Sequence, residues 1–588
     1  MINTNNINML WCSLIIEELY RSGAEYFVIS PGSRSTPLTA AAAYHEEVVK
    51  KIHFDERGAA FYALGYARAT GRPAVLICTS GTAPANYLPA VVEASNDLLP
   101  LILLTADRPP ELRDTGANQT VIQPGIFSHF VRWEFDLPCP NENIKPELVL
   151  TTIDQAMAKT LGSPSGPVHL NCPFREPLAP DKTEQDFSDY LKSLERWRNS
   201  ERPYTSYSRT STAAGEKSLS RLTMILNQTG KGVLIAGRLK NRDESEAVIT
   251  LSEKLGWPVF PDILSGLRLG ADRHYIVNYY DRLLLSKKFH DRFQPETILH
   301  IGDRITSKKL LQFIENNSVE NYIHITYHAE RLDPAHKVSF RLQSDIKGLI
   351  QKILPSLSAQ PEEGWPALFV GGNKLINEYF EQTLGNETGL YEPVVARLIS
   401  KHISSESLLF ISSSLPIRDM DMFASFSGPR IITAANRGAS GIDGTVAAAS
   451  GFAAGWRKPV TLLIGDLTLL HDLNSLALLK DSPVPVTVVV VNNHGGNLFS
   501  FLPIARHKDI FEKYFTTPHD LSFRAAAALF SLDYYQPGDV NTFIDHYRQA
   551  QHSGQPSLIE IDIDREKSRN FYHTINETIT NRLDELYG

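Results

Sequence analysis

The chain alternates short apolar runs with longer stretches of helical periodicity. Glu25–Ile29, a Ser/Pro/Gly turn and an Ala-rich stretch from Pro37 open the pattern, and Ala74–Thr79, the helix-like Thr82–Ser95 and Leu101–Thr105 repeat it. Continuous apolar strands flanked by helices predict parallel sheets covered on both faces. Asn199–Ser218 breaks the rhythm with Ser and Thr and little apolar periodicity, the composition of a solvated connection. Strands at Gly232–Ala236, Pro258–Phe260, Thr297–Ile301 and Tyr322–Ile325 form a second such unit, and Pro355–Trp365 interrupts again. Leu408–Ile411, Val460–Ile464 and Val486–Val491 belong to a third. The expected organisation is therefore three doubly wound parallel-sheet α/β domains, at 1–198, 219–354 and 366–588, joined by linkers 199–218 and 355–365.

Composition changes this picture little. With 588 residues, 42% hydrophobic and 21% charged, the chain can bury several cores. A net charge of -8 argues against a nucleic-acid surface. The four cysteines, Cys12, Cys78, Cys139 and Cys172, form no CxxC pair and sit in or beside apolar segments, as buried thiols in a reducing cytoplasm do. Neither a signal peptide nor an apolar run of about 18 residues is visible, so no membrane span is expected.

The most informative stretch is Leu462–Gly496, which reads as strand, acidic turn, helix, strand and Asn-rich turn. Such a βαβ unit brings the ends of its two strands to one sheet edge, so Asp466 and Asn493 are expected to meet there. One carboxylate, one amide oxygen and a backbone carbonyl at Gly495 are the few protein ligands that Mg2+ needs when phosphate oxygens and water complete its octahedron. The plain alternative is a strand-end Asp and a turn Asn.

Gly465–Asp466 followed by Asn492–Asn493 resembles the signature of thiamine-diphosphate-dependent enzymes, although Leu467 stands where the family usually has glycine. Some sixty residues from His53 to Pro109 are also similar to the decarboxylases and synthases of this family. The resemblance implies thiamine diphosphate bound with Mg2+, for which Mn2+ substitutes, and a homodimer or dimer of dimers. It places Glu56 beside the cofactor's aminopyrimidine ring as the proton relay. Gly465, Asp466, Leu467 and Asn493 become cofactor-binding positions, Asp466, Asn493 and Gly495 the metal ligands, and Ile442 in Asn436–Gly444 the apolar wedge behind the cofactor. Asp55 and Arg57 are neighbours without catalytic roles.

The segments around Arg34, Arg108, Arg437 and Asn493 narrow the resemblance to the branch of menaquinone biosynthesis that decarboxylates 2-oxoglutarate and adds the succinic semialdehyde carbanion to isochorismate by 1,4-addition. Both substrates carry two carboxylates, which call for arginine forks in an otherwise acidic protein. The resemblance puts Ser33, Arg34, Arg108, Gln119, Lys308, Lys309, Ser414, Arg418 and Arg437 on the substrates, with Phe499 and Leu502 as apolar lining. Read without it, Lys308 and Lys309 are a solvated helix start. The competing readings are an acetolactate-synthase-like or simple 2-oxo acid decarboxylase, and a cofactor-binding regulator without catalysis. The Gly232–Arg238 turn lacks the GxGxxG fingerprint that nicotinamide or flavin binding would want.

Overall fold

The computed structural model describes residues 2–208, 213–270, 273–358 and 360–588. It contains three all-parallel sheets. The first holds β1 (Tyr26–Ile29), β2 (Val49–Ile52), β3 (Ala74–Cys78), β4 (Leu101–Asp107), β5 (Trp133–Asp136) and β6 (Val168–Pro173), in the order β2-β1-β3-β4-β6-β5. The second holds β7 (Gly232–Ala236), β8 (Val259–Pro261), β9 (Thr297–Ile301), β10 (Asn321–Thr326) and β11 (Phe340–Gln343), ordered β11-β10-β9-β7-β8. The third holds β12 (Leu408–Ile411), β13 (Thr433–Ala434), β14 (Val460–Gly465), β15 (Val486–Asn492), β16 (Asp533–Tyr535) and β17 (Ser557–Asp562), ordered β13-β12-β14-β15-β17-β16.

Renumbered within each sheet, the two six-stranded orders are the same, and the five-stranded sheet shares their first four positions. Each order reverses between its first and third strands (β1 and β3, β7 and β9, β12 and β14), and ligands bind open α/β sheets in the crevice beyond the strand ends at such switch points. Central strands β3, β4, β7, β9 and β15 are buried throughout, which matches their mostly apolar sequences.

By compactness the chain divides into two units. One comprises residues 1–209, 436–458 and 470–486, and the other 210–435, 459–469 and 487–588. In the first, a core of Leu10, Phe27, Ile77, Leu104 and Leu170 fills the β1–β6 sheet. Here helix Glu56–Thr70 packs directly on helix Thr445–Trp456. A Cβ on Gly65 would lie 2.0 Å from the Ala448 carbonyl oxygen, and one on Gly451 would lie 1.9 Å from that of Tyr62, so only glycine allows this approach. In the second unit one cluster runs from Val233 on β7 through Phe369 and Ile411 to Tyr587, so the second and third sheets share a continuous core.

The expected linkers are more ordered than their composition suggests. Of 199–218, residues 209–212 lie outside the described part, and 216–218 already belong to helix Glu216–Gln228. The backbone N–H groups of Tyr204 and Thr205 donate to Glu18 and Asp154, and Trp197 Nε1 donates to Glu18 at 2.6 Å. In the second break, buried Trp365 donates to the Gly232 carbonyl at 2.8 Å. Cys12, Cys78, Cys139 and Cys172 are buried free thiols, and among the described residues no helix is long and apolar enough to cross a membrane.

Burial and the neighbouring Asp154 carboxyl push Glu18 up to about 8, against an ordinary value of 4.5. The folded chain therefore holds a proton at Glu18 that the unfolded chain releases. Its contribution to stability is present below the ordinary carboxylate range and is lost as pH rises towards about 8. Glu18→Gln is expected to flatten the fall of melting temperature between roughly pH 5 and 8. Melting curves across that range check this, and an unchanged slope contradicts it.

Candidate functional site

In the second unit, β14 ends at Gly465 and Asp466 opens the following helix directly, where the sequence suggested an acidic turn. The connection to β15 is not one helix but three short helical pieces, at Asp466–His471, Leu473–Leu476 and Ala477–Lys480. The expected meeting of the strand ends is present. Asp466, buried, accepts the Gly495 N–H at 2.8 Å through Oδ2, the Leu467 N–H at 2.7 Å through Oδ1, and lies 3.2 Å from His519 Nε2. Burial raises its pKa, and these donors oppose the rise.

The two asparagines part company at the end of β15, where successive side chains point to opposite faces. Asn492 Nδ2 donates to Glu560 and to the Leu521 carbonyl. Asn493 Nδ2 donates to Glu392 at 3.1 Å, which leaves its buried Oδ1 with no hydrogen-bond partner. Gly495 follows with φ of +139°, and a Cβ there would stand 2.3 Å from the Thr516 carbonyl oxygen, so the turn requires glycine. The donors available are thus one carboxylate, one orphaned amide oxygen and a glycine carbonyl. Among the described residues no three His, Cys, Asp or Glu side chains gather as a self-sufficient metal cage. A hard cation that shares its shell with phosphate oxygens fits this oxygen set; a zinc-type site does not. A cavity of about 600 Å³ opens beside the turn, lined by Asn493, His494, His519, Asp562 and Arg565.

Beyond β12, Ser414 takes φ of +76°, an uncommon conformation for a residue with a side chain, and caps helix Leu415–Phe423, which carries Arg418. Arg418 turns back to donate to the Ser414 carbonyl. Lys308 and Lys309 are the first two residues of helix Lys308–Asn316, both exposed, with Ser307 as the cap. Phe499 and Leu502 are half-buried in the segment after the Asn pair, Phe499 edge-on to Phe515.

In the first unit the candidate residues stand beyond β1, β3 and β4, again around a switch point. Ser33 is exposed, and Arg34 is buried with Nη1 donating to the Phe174 carbonyl at 3.0 Å and Nη2 3.4 Å from Glu176. Gly32 is pressed against Thr79, 2.2 Å from where its Cβ would lie. Arg108 is half-buried. Gln119, at φ of +57°, donates to the Ser80 carbonyl at 3.0 Å and receives the Ser80 hydroxyl at 2.9 Å. Glu56 is half-buried at the start of helix Glu56–Thr70, behind Asp55, whose carboxylate accepts the Arg57 and Gly58 N–H groups as an N-cap. Buried Cys78 has its pKa raised by desolvation and, in part, by the charge of Glu56.

Known proteins are similar to this chain along its length. The model of the thiamine pyrophosphate enzyme N-terminal TPP binding domain matches residues 12–126, the middle-domain model 188–411 and the C-terminal TPP binding domain model 419–561. Proteins named 2-succinyl-5-enolpyruvyl-6-hydroxy-3-cyclohexene-1-carboxylate synthase are similar over the whole length. That of Rubrobacter xylanophilus is 46% identical, covering 96% of this chain and 97% of its own. That of Chlorobium phaeobacteroides is 44% identical, covering 99% and 100%. The chain belongs to this synthase family. A solved thiamin diphosphate-dependent enzyme from Mycobacterium smegmatis, 16% identical, shares the fold with a TM-score of 0.70 over 94% of this chain and 99% of its own.

Sequence reasoning missed the acids that hold the family's loops in place. Glu93, buried on helix Thr82–Asp97, accepts the N–H groups of Gly438, Ala439 and Ser440 at 2.7, 2.6 and 3.2 Å, and so fixes the loop that carries Arg437 and Ile442. Burial and the adjacent Asp97 raise its pKa, while Arg68 opposes the rise. Buried Asp472 accepts the Val446 and Ala447 N–H groups at the start of the helix that follows, its pKa pushed up to about 6 by burial. No local motif announces either acid, because each partner is distant in sequence. Glu93→Ala would leave three loop N–H groups without their acceptor. It is expected to cost about 3 kcal/mol in denaturant titrations and to speed amide exchange at 438–440, whereas native exchange there would show that the loop holds itself.

Proposed function

We propose that the chain decarboxylates 2-oxoglutarate and adds the remaining four-carbon unit to isochorismate by 1,4-addition. The products are 2-succinyl-5-enolpyruvyl-6-hydroxy-3-cyclohexene-1-carboxylate and CO2, in menaquinone biosynthesis. One observation carries this reading: Asp466 closes on the Asn493–Gly495 turn, in a chain 46% identical over nearly its whole length to a synthase of that name. Thiamine diphosphate, when bound, supplies the carbon nucleophile and the electron sink for decarboxylation.

The chain's own residues divide the remaining work. Asp466 and Asn493 hold Mg2+ through side-chain oxygens and Gly495 through its carbonyl, with Gly465 and Leu467 flanking the diphosphate. Glu56 carries the proton exchanged with the aminopyrimidine ring, a task suited to a carboxyl that is shielded but not sealed. Ile442 props the cofactor from behind. Arg34, Arg108, Arg418 and Arg437 pair with the substrates' carboxylates, with Ser33, Gln119, Ser414, Lys308 and Lys309 adding donors; the conformations of Arg34 and Gln119 are already fixed by backbone contacts. Phe499 and Leu502 keep water from the reacting carbon. The working form is a homodimer or dimer of dimers in which one subunit's Glu56 serves the cofactor held by its partner, consistent with the half-exposed Glu56 of the single chain.

Three substitutions separate these roles. Glu56→Gln should leave cofactor and Mg2+ binding intact while CO2 release falls roughly a hundred- to ten-thousand-fold; near-normal turnover would sink the relay. In calorimetry, Asp466→Ala should abolish Mg2+-dependent binding of thiamine diphosphate, and Arg437→Ala should spare it while raising KM for 2-oxoglutarate. Equal loss of cofactor binding in both contradicts the division.

A further inference from the structure

Glu392 opens helix Glu392–His402 in the second unit and is 3% exposed. Its Oε1 receives two amide donors, Asn493 Nδ2 at 3.1 Å and Asn497 Nδ2 at 3.0 Å, and its Oε2 receives the Ser568 hydroxyl. Asn493 and Asn497 are themselves buried, and the Oδ1 atom of each lacks a hydrogen-bond partner.

With both amides donating to Oε1 and the Ser568 hydroxyl to Oε2, Glu392 acts here only as an acceptor. It therefore decides which way round each amide sits: a flipped Asn493 would set its oxygen against the Glu392 oxygen and turn its NH2 group to the side where a cation is to bind. A buried amide oxygen without a partner carries a desolvation cost that persists only if the surroundings enforce it or a ligand relieves it. Here both conditions have a named agent. Glu392 is held in turn by the C-terminal helix Arg565–Tyr587, where Ser568 grips Glu392 and, one turn on, Tyr572 donates to the adjacent buried acid Asp419 at 2.5 Å.

We propose that Glu392 is a positioning residue for the divalent metal: it fixes the amide of Asn493, with Asn497 clamped beside it, so that Asn493 Oδ1 is presented as a ligand before the metal arrives. This rests on the thiamine-diphosphate reading of the site. Partners of this kind that orient a ligand characteristically change metal affinity by about 10- to 100-fold when removed. Leu in place of Glu392 roughly keeps the volume but removes both acceptor oxygens, so neither amide keeps its enforced orientation, whereas Gln could still turn its one oxygen to both amides and its NH2 to Ser568 Oγ.

The test is calorimetric titration of MgCl2 into the full-length protein with thiamine diphosphate present, for wild type, Glu392→Leu and Ser568→Ala, with melting temperatures of the metal-free proteins. Wild type should bind; if it takes up no Mg2+ under these conditions, the cofactor reading and this proposal fall together. Given wild-type binding, Glu392→Leu should weaken Mg2+ affinity about 10- to 100-fold, recoverable with excess metal. Ser568→Ala, which removes only the helix's grip on the other oxygen, should lower melting temperature but keep Mg2+ affinity within about threefold. Wild-type affinity in Glu392→Leu, or equal weakening in both variants, overturns the positioning role while leaving the cofactor reading intact.

Discussion

The rest of the site depends on one buried carboxylate at the end of one strand. Asp466 is 3% exposed and would be costly to bury alone. It is held by two backbone N–H groups, its own neighbour's and that of Gly495 beyond the adjacent strand β15. That pairing ties together the loops that follow two neighbouring strands of the third sheet, β14 and β15. It also places the turn so that Asn493 faces Glu392 while Asn492 faces Glu560. Remove the carboxylate and the turn loses the anchor that sets this alternation.

The same logic recurs at several points. Glu93 holds the loop of Arg437 through three N–H groups, and Asp472 holds the start of the helix behind that loop. In each case a buried acid from one segment organises the backbone of another. The loops beyond β1, β3 and β4, and those beyond β12, β14 and β15, carry candidate residues, and sheets of identical strand order set where those loops emerge.

What could be read from the sequence follows from burial. Central strands such as Gly232–Ala236, Thr297–Ile301 and Leu408–Ile411 coincide with their apolar runs, because both faces of a covered parallel sheet must be apolar. Edge strands did not stand out: Val49–Ile52 is partly exposed and carries two lysines, and Asp533–Tyr535 is short and polar. That Asp466 comes together with the turn after β15 was legible because a βαβ unit dictates which strand ends are neighbours. Glu392 was not, since it lies 101 positions from Asn493 and only the fold brings them together. The helical connection after Asp466 was read as continuous because apolar residues recur through Leu467–Leu479, but Asp472 and Ser475 bond to each other and divide it.

The proposed reaction couples loss of CO2 from 2-oxoglutarate to consumption of isochorismate. The most direct measurement follows both in one time course with purified protein, thiamine diphosphate and Mg2+, omitting each component in turn. The account predicts that CO2 release and isochorismate loss proceed one for one and that each omission stops both. Steady CO2 release from another 2-oxo acid with isochorismate untouched would contradict it.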